Sequence, residues 1–329
     1  MMRDLRQALA ESLEEPGAVH RSGFCVGGVT VHVAGHYRAD VNLDISLRPF
    51  CVDAGAPEVT IQVGWATNLA PTPRRKLFDS GSIWRLYKDE AGFQFDFSTS
   101  SLGQHPYKRL FVDGSFRRAT LHMNEGCFPG AACATSPLEY PLDELLIMHR
   151  LTQEQAIEMH GVGIVGPDGA SNLFVGHSGA GKSTTARLWT SLHKVEILSD
   201  DRIIVREHKV REEKVRAHKI RQDKAGEDAT QIFMYGTPWH GEAHFALPQR
   251  APLQRIFVLE HGHGNELTRL TRSQTVAELF ARSFVPFHSH EYVDHALSFL
   301  ERVAYTIPCY RYSFEPDQRA VETILHFND

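Results

Sequence analysis

Gly176-His177-Ser178-Gly179-Ala180-Gly181-Lys182-Ser183, continuing into Thr184, matches the pattern GxxxxGK[ST]. The run NLFVG that leads into it reads as a strand, and a helix is predicted from Ser183 to about Leu192. Strand, glycine-rich loop and helix in that order are the context in which the pattern holds phosphate. Glycines permit torsions that turn successive N–H groups onto phosphate oxygens, and the helix N-terminus adds the positive end of its dipole. The stretch predicts a nucleotide-binding loop in which Gly176, Ser178, Gly179, Ala180, Gly181, Lys182, Ser183 and Thr184 contact the cofactor. Lys182 would reach the β- and γ-phosphates as a point charge, and the Ser183 hydroxyl would hold Mg²⁺.

Eighteen residues beyond Lys182, the strand-like run VEILSDD ends on Asp200 and Asp201. A phosphate loop needs a carboxylate for its metal, and two adjacent carboxylates suit two tasks. One orients Mg²⁺ directly or through water; the other accepts the proton of an attacking hydroxyl. Which aspartate does which is left open. Farther on, GTPWHGE (Gly236 to Glu242) crowds Trp, His and Glu into four residues after a buried strand. Glu242 is a candidate second metal contact beside Ser183 and Asp201, and Trp239 or His240 a candidate to face the acceptor or the nucleotide base.

Outward from the motif, strands and helices alternate, which predicts an α/β domain over 141–329. It opens on LDELLIMHRLTQEQAIEMH, whose Leu142, Leu145, Leu146, Met148 and Leu151 recur at helical intervals. GVGIV and NLFVG follow as a hairpin turned at Gly166-Pro167-Asp168-Gly169. After Asp201 come RIIVRE, QIFMYG and RIFVLE as strands. Two helices follow, with stripes Val276/Leu279/Phe280 and Leu297/Leu300/Val303/Ala304, then the strand YRYSF and the final helix QRAVETILHF. Between RIIV and QIFMYG, residues 205–224 repeat as VREHK, VREEK, VRAHK, IRQDK. A five-residue period fits neither helix nor strand, so this reads as a charged, mobile hairpin or lid. His261, His263, His288, His290 and His295 lack the spacing of known zinc motifs and read as ordinary surface or packed histidines; His177 reads as exposed and without a role.

Residues 1–140 have a different grammar, short β-type runs broken by turn residues. Gly27-Gly28, Glu90-Ala91-Gly92 and Asp113-Gly114 each separate two runs, predicting an antiparallel β-rich N-terminal domain that serves as scaffold or in substrate or partner recognition. MMRDLRQALAESLEEPG reads as a short amphipathic helix rather than a signal peptide.

Composition narrows the function classes. Among 329 residues, 35 Lys+Arg against 40 Asp+Glu leave a net charge of -5, so no field favours nucleic acid or an anionic membrane. No apolar run approaches the ~18 residues needed to span a bilayer. Five scattered cysteines (Cys25, Cys51, Cys127, Cys133, Cys309) with no CxxC predict reduced, mostly buried thiols and a cytoplasmic protein.

MHGVGIV, the hairpin, GHSGAGKST and ILSDDRIIV, taken together, resemble the catalytic domain of the HPr kinase/phosphorylase family, which also has His-Gly before its phosphate loop and paired aspartates after it. The resemblance covers roughly residues 155 to 205 and extends weakly to the C-terminus. It implies a fold similar to phosphoenolpyruvate carboxykinase, with His160 as an active-site histidine, Lys182 and Ser183 as nucleotide and metal contacts, and Asp200 and Asp201 as base and metal carboxylates. Thr184 stands where true HPr kinases have Glu, and GTPWHGE stands near the place of their EIRG-type signature, so the chain looks more like the looser HPr-kinase-like proteins. The resulting expectation is an ATP- or GTP-dependent, Mg²⁺-assisted kinase acting on a hydroxyl of a protein, a peptide or a small metabolite. A nucleotide-binding switch module or a simple NTPase is the alternative. Neither nucleic acid nor a membrane is expected as a partner, and assembly into a homo-oligomer is left open.

Overall fold

The computed structural model describes residues 19–53, 55–128, 136–209 and 230–327. The expected N-terminal helix, Cys133 and all but the first pentad of the 205–224 repeat lie outside the described residues. The chain divides into two compact units. One gathers Val29–Arg150 with the strand before it, and the other runs from Leu151 onward and takes in Val26–Gly28. Each unit is built on one large mixed sheet.

In the first unit the strands are β1 (His20–Val26), β2 (Val29–Gly35), β3 (Val59–Ala66), β4 (Lys76–Asp79), β5 (Trp84–Lys88), β6 (Gly92–Phe97), β7 (Lys108–Asp113) and β8 (Arg118–Asn124). Their spatial order is β1-β2-β3-β8-β7-β6-β5-β4. Hairpins form where turn chemistry predicts them, as at Gly27-Gly28, where φ is 60° and 77°. The expectation of a purely antiparallel sheet is corrected: β3 runs parallel to both β2 and β8. Turn residues specify only local hairpins. The long connection over 36–58 is a crossover that lets β3 return alongside β2 in the same direction.

Helix α1 (Leu142–Thr152), expected to open the second domain, counts chiefly with the first unit. Leu142, Leu145, Leu146 and Ile147 are buried, and the His149 ring stacks on Phe116 with 4.8 Å between centroids.

The second unit holds β9 (Ala156–Val165), β10 (Ser171–Val175), β11 (Glu196–Ser199), β12 (Arg202–Lys209), β13 (Thr230–Tyr235), β14 (Arg250–Pro252), β15 (Arg255–His261), β16 (Glu266–Arg269), β17 (Ser283–Phe284) and β18 (Cys309–Phe314). The path runs β14-β13-β12-β9-β10-β15-β18-β16, with β11 and β17 also paired to β9. β10, β15 and β18 are parallel, while β9 is antiparallel to each strand it meets. The helical reading of residues 142–160 stops at Thr152. Its second half is strand, because pairing on both edges of β9 overrides weak local preference, and His160 rides on that strand.

Alternation along the parallel strands explains the layers. Leu173, Val175, Ile256 and Val258 pack to one side with Leu279 of α3 (Arg272–Phe280) and Phe299, Leu300 and Val303 of α4 (His290–Thr306). Phe174, Phe257 and Leu259 pack to the other with Ala186 and Trp189 of α2 (Lys182–Leu192) and Val321 and Ile324 of α5 (Gln318–Leu325). Strands covered on both faces read as continuous apolar runs, as NLFVG and RIFVLE do. The seam of α4 includes Ala296 and Phe299, with Leu297 and Ala304 only half-buried at its border. Cys25, Cys51, Cys127 and Cys309 are free thiols, but the expected burial holds only for Cys309; Cys51 is exposed. Among the described residues no helix is long and apolar enough to cross a membrane.

Candidate functional site

Parallel pairing brings the C-terminal ends of β10 and β15 to one edge of the sheet, where open α/β sheets hold their ligands. The fully buried β10 ends at Val175, residues 176–181 turn, and α2 starts at Lys182. The Gly176 N–H donates to the His160 carbonyl at 3.3 Å, joining the start of the loop to β9. At the far end the Gly181 carbonyl accepts from both the Thr185 N–H (2.8 Å) and its hydroxyl (3.0 Å).

Two glycines are needed for stated reasons. Gly179 has φ +80°, in the left-handed region. Gly181 has φ +99°, and a Cβ there would lie 2.5 Å from Phe314 Cζ, so both torsion and space exclude a side chain. His177, Ser178 and Gly179 are exposed, while Ser183 and Thr184 are half-buried. The Ser183 hydroxyl makes no hydrogen bond among the described residues.

Lys182 is 6% exposed, and its Nζ donates to the Gly176 carbonyl (3.0 Å) and the His177 carbonyl (2.9 Å). Burial, with the charges of Arg202 and Arg282, pushes its pKa down to about 8, while Asp201 pulls the other way. The ammonium is thus a desolvated cation folded against its own loop.

The two aspartates have different surroundings. Asp200 is buried, and three backbone N–H groups enclose it: Gly241 (3.0 Å) and Phe245 (3.2 Å) donate to Oδ1, and Ala243 (2.8 Å) to Oδ2. Asp201 is half-buried, with its Oδ1 2.9 Å from His160 Nε2 and its Oδ2 3.2 Å from Arg202 Nε. Burial works to raise its pKa, but the His160 hydrogen bond and the charges of Arg202 and Lys182 outweigh that and hold the carboxyl below its usual range. An ionised Asp201 requires His160 to carry its proton on Nε2. The Arg202 guanidinium lies 3.6 Å from the centroid of the Phe284 ring, a cation–π contact that fixes the floor beside the acid.

Lys182, Asp201 and His160 are therefore brought together, while Asp200 faces the turn over 241–245. In that turn Glu242 is exposed; just before it Trp239 is buried and His240 is exposed, with His240 Nδ1 3.2 Å from His244 Nδ1. Among the described residues no group of three or more His, Cys, Asp or Glu side chains is arranged to hold a metal ion.

His261, read from sequence as an ordinary surface or packed histidine, has a contact that reading did not foresee. At the end of β15 its Nε2 donates to the Gly179 carbonyl at 2.7 Å. Its place at the end of the strand-like run RIFVLEH was the part of this legible in sequence; that the strand lies beside β10 was not. Arg202, at the start of β12, was also missed, and so were Arg282 and Phe284, since β17 is too short to show a pattern of its own. Compared with known proteins, the chain matches no family model and no curated protein.

Proposed function

We propose that the second unit binds a nucleoside triphosphate, ATP or GTP, as its Mg²⁺ complex and transfers the γ-phosphoryl group to a hydroxyl of a protein or peptide serine or of a small metabolite. One observation carries the reading: a buried lysine at a strand–glycine loop–helix junction, electrostatically coupled to the Asp201–His160 pair. The resemblance to HPr-kinase-like proteins points the same way.

On this reading the loop amides, the N-terminus of α2 and Lys182 receive the polyphosphate. Lys182 leaves the Gly176 and His177 carbonyls for phosphate oxygens. The Ser183 hydroxyl and the Asp201 carboxylate are the protein donors that fit Mg²⁺, an ion that keeps several waters and takes other oxygens from phosphates. When bound, the ion neutralises charge on the transferring phosphoryl group. The exposed Glu242 is left outside this set. With Asp200 enclosed by amides, the roles foreseen for the pair fall to Asp201. It accepts the acceptor's hydroxyl proton as the acceptor oxygen bonds to the γ-phosphorus and the bond to the β,γ-bridging oxygen breaks, releasing the nucleoside diphosphate. His160 orients the carboxylate and keeps it ionised.

Calorimetry with Mg·ATP and Mg·GTP, on the parent and on Lys182→Ala, tests the site. Binding by the parent and its loss in the variant are expected; a parent that binds neither nucleotide overturns the reading. Nucleotide consumption with and without a cell-extract acceptor fraction then separates the classes. Acceptor-dependent turnover marks a kinase, acceptor-independent turnover an NTPase, and binding without turnover a switch module.

A further inference from the structure

We infer that His261 is a positioning residue of the glycine loop, with its Nε2–H holding the Gly179 peptide in the orientation that the phosphate site uses. The inference rests on the proposed nucleotide site for its functional consequence, but its structural basis is separate.

Gly179 is exposed, with open space where a Cβ would sit, and within the loop its peptide is held only on the N–H side, where Ala180 N–H donates to the His177 carbonyl at 3.1 Å. A residue without Cβ is the most costly to order, and an exposed glycine in such a loop samples several torsion wells unless something outside the loop chooses one. The His261 hydrogen bond of 2.7 Å reaches the carbonyl side of that peptide from 82 residues away in sequence and adds an anchor from outside the loop, so that both ends of the peptide are fixed.

The imidazole is itself held. It stacks on Phe314, with 6.0 Å between centroids and 23° between planes, and the two residues are register partners on β15 and β18. Phe314 also fills the space where Gly181 would carry a Cβ. The next residue, Gly262, approaches β18 so closely that its Cβ would overlap the Ser313 hydroxyl. Two neighbouring strand ends thus support the two left-handed glycines of the loop, Phe314 by contact beneath Gly181 and His261 by a hydrogen bond to Gly179.

Three variants separate the hydrogen bond from the packing. His261→Gln keeps an N–H donor at comparable reach and loses the ring; His261→Phe keeps a ring on Phe314 and loses the donor; His261→Ala loses both. If His261 positions the loop, Phe and Ala bind Mg·ATP about tenfold more weakly, the scale of one added ordering step, while Gln stays near the parent. Hydrogen exchange of the 176–182 segment without nucleotide follows the same order, faster in Phe and Ala and parental in Gln. Parental binding and exchange in His261→Phe, or a Gln variant as impaired as Ala, overturns the inference and leaves His261 as packing alone. A parent that binds no nucleotide overturns the nucleotide reading, and the exchange series still decides whether His261 orders the loop.

Discussion

His160 and Asp201, 41 residues apart, meet with Nε2 2.9 Å from Oδ1, while the adjacent Asp200 turns to a different set of partners. Strand register accounts for the meeting. His160 on β9 stands opposite Arg202 on β12, and the Gly161 N–H donates to the Asp201 carbonyl at 3.0 Å, fixing the backbone at the acid.

The two aspartates should fail differently. On the proposed reading, Asp201→Asn should lose little melting temperature, bind Mg·nucleotide more weakly through the lost metal contact and lose phosphoryl transfer by ~10²-fold or more. Asp200→Asn removes the charge that three backbone amides share and sets an NH₂ group among donors, a loss of about 3 kcal/mol. It should melt several degrees lower. Thermal melts and turnover on both proteins check this, and equal losses of stability would contradict the assignment.

Gly181→Ala and Gly179→Ala compare the two left-handed glycines. The first meets both a φ of +99° and the Phe314 ring, the second only a φ of +80° in open space. Gly179→Ala should cost ~1–2 kcal/mol from the backbone alone, and Gly181→Ala clearly more. Chemical denaturation measures both; a ranking in the reverse order would mean that the Phe314 contact yields freely.

If the second unit binds nucleotide as proposed, that affinity should weaken at alkaline pH because of Lys182. Burial first, then Arg202 and Arg282, hold its pKa at about 8 in the free protein. A polyphosphate at Nζ favours the charged form and raises that pKa. Binding therefore takes up a proton between the two values. Affinity is insensitive to this lysine below about pH 8 and falls as pH rises above it, by up to ~10-fold per unit. Calorimetry in buffers of different ionisation enthalpy at pH 7 and pH 9 reads the proton uptake directly. Equal uptake at both values would exclude a Lys182 titration.

In the first unit, Asp96 should matter to stability. It is 2% exposed, and its carboxylate accepts from Arg109 Nε and Nη2, Thr72 Oγ1 and Gln94 Nε2, tying the 70–72 stretch to the sheet. Asp96→Asn leaves the Arg109 charge without its partner, at a cost of roughly 3–5 kcal/mol. Arg109→Lys also falls short, because an ammonium cannot make the two-pronged contact. Urea titration should show both losses, with faster hydrogen exchange at 69–75; unchanged exchange there would mean that the loop is held by other contacts.

Sequence by itself determined what depends on local torsion and periodicity. The strand–loop–helix over 171–192, the Gly27-Gly28 and Gly166–Gly169 turns and the three amphipathic helices after residue 270 follow from glycine's left-handed freedom, proline and the 3.6-residue period. Tertiary structure alone decided what depends on residues distant in sequence. β3 lies parallel to its neighbours because a crossover returns it there. Residues 156–160 are strand because β9 is paired on both edges. Asp200 and Asp201 are identical in type and adjacent, so no local pattern distinguishes them; amides from 241, 243 and 245 enclose one, and His160 and Arg202 hold the other. His261 is one of many histidines in the chain, and only the parallel pairing of β10 with β15 carries it to Gly179. Hydrogen bonds and burial select such neighbours through the whole chain's packing, which the spacing of residues along one segment does not encode.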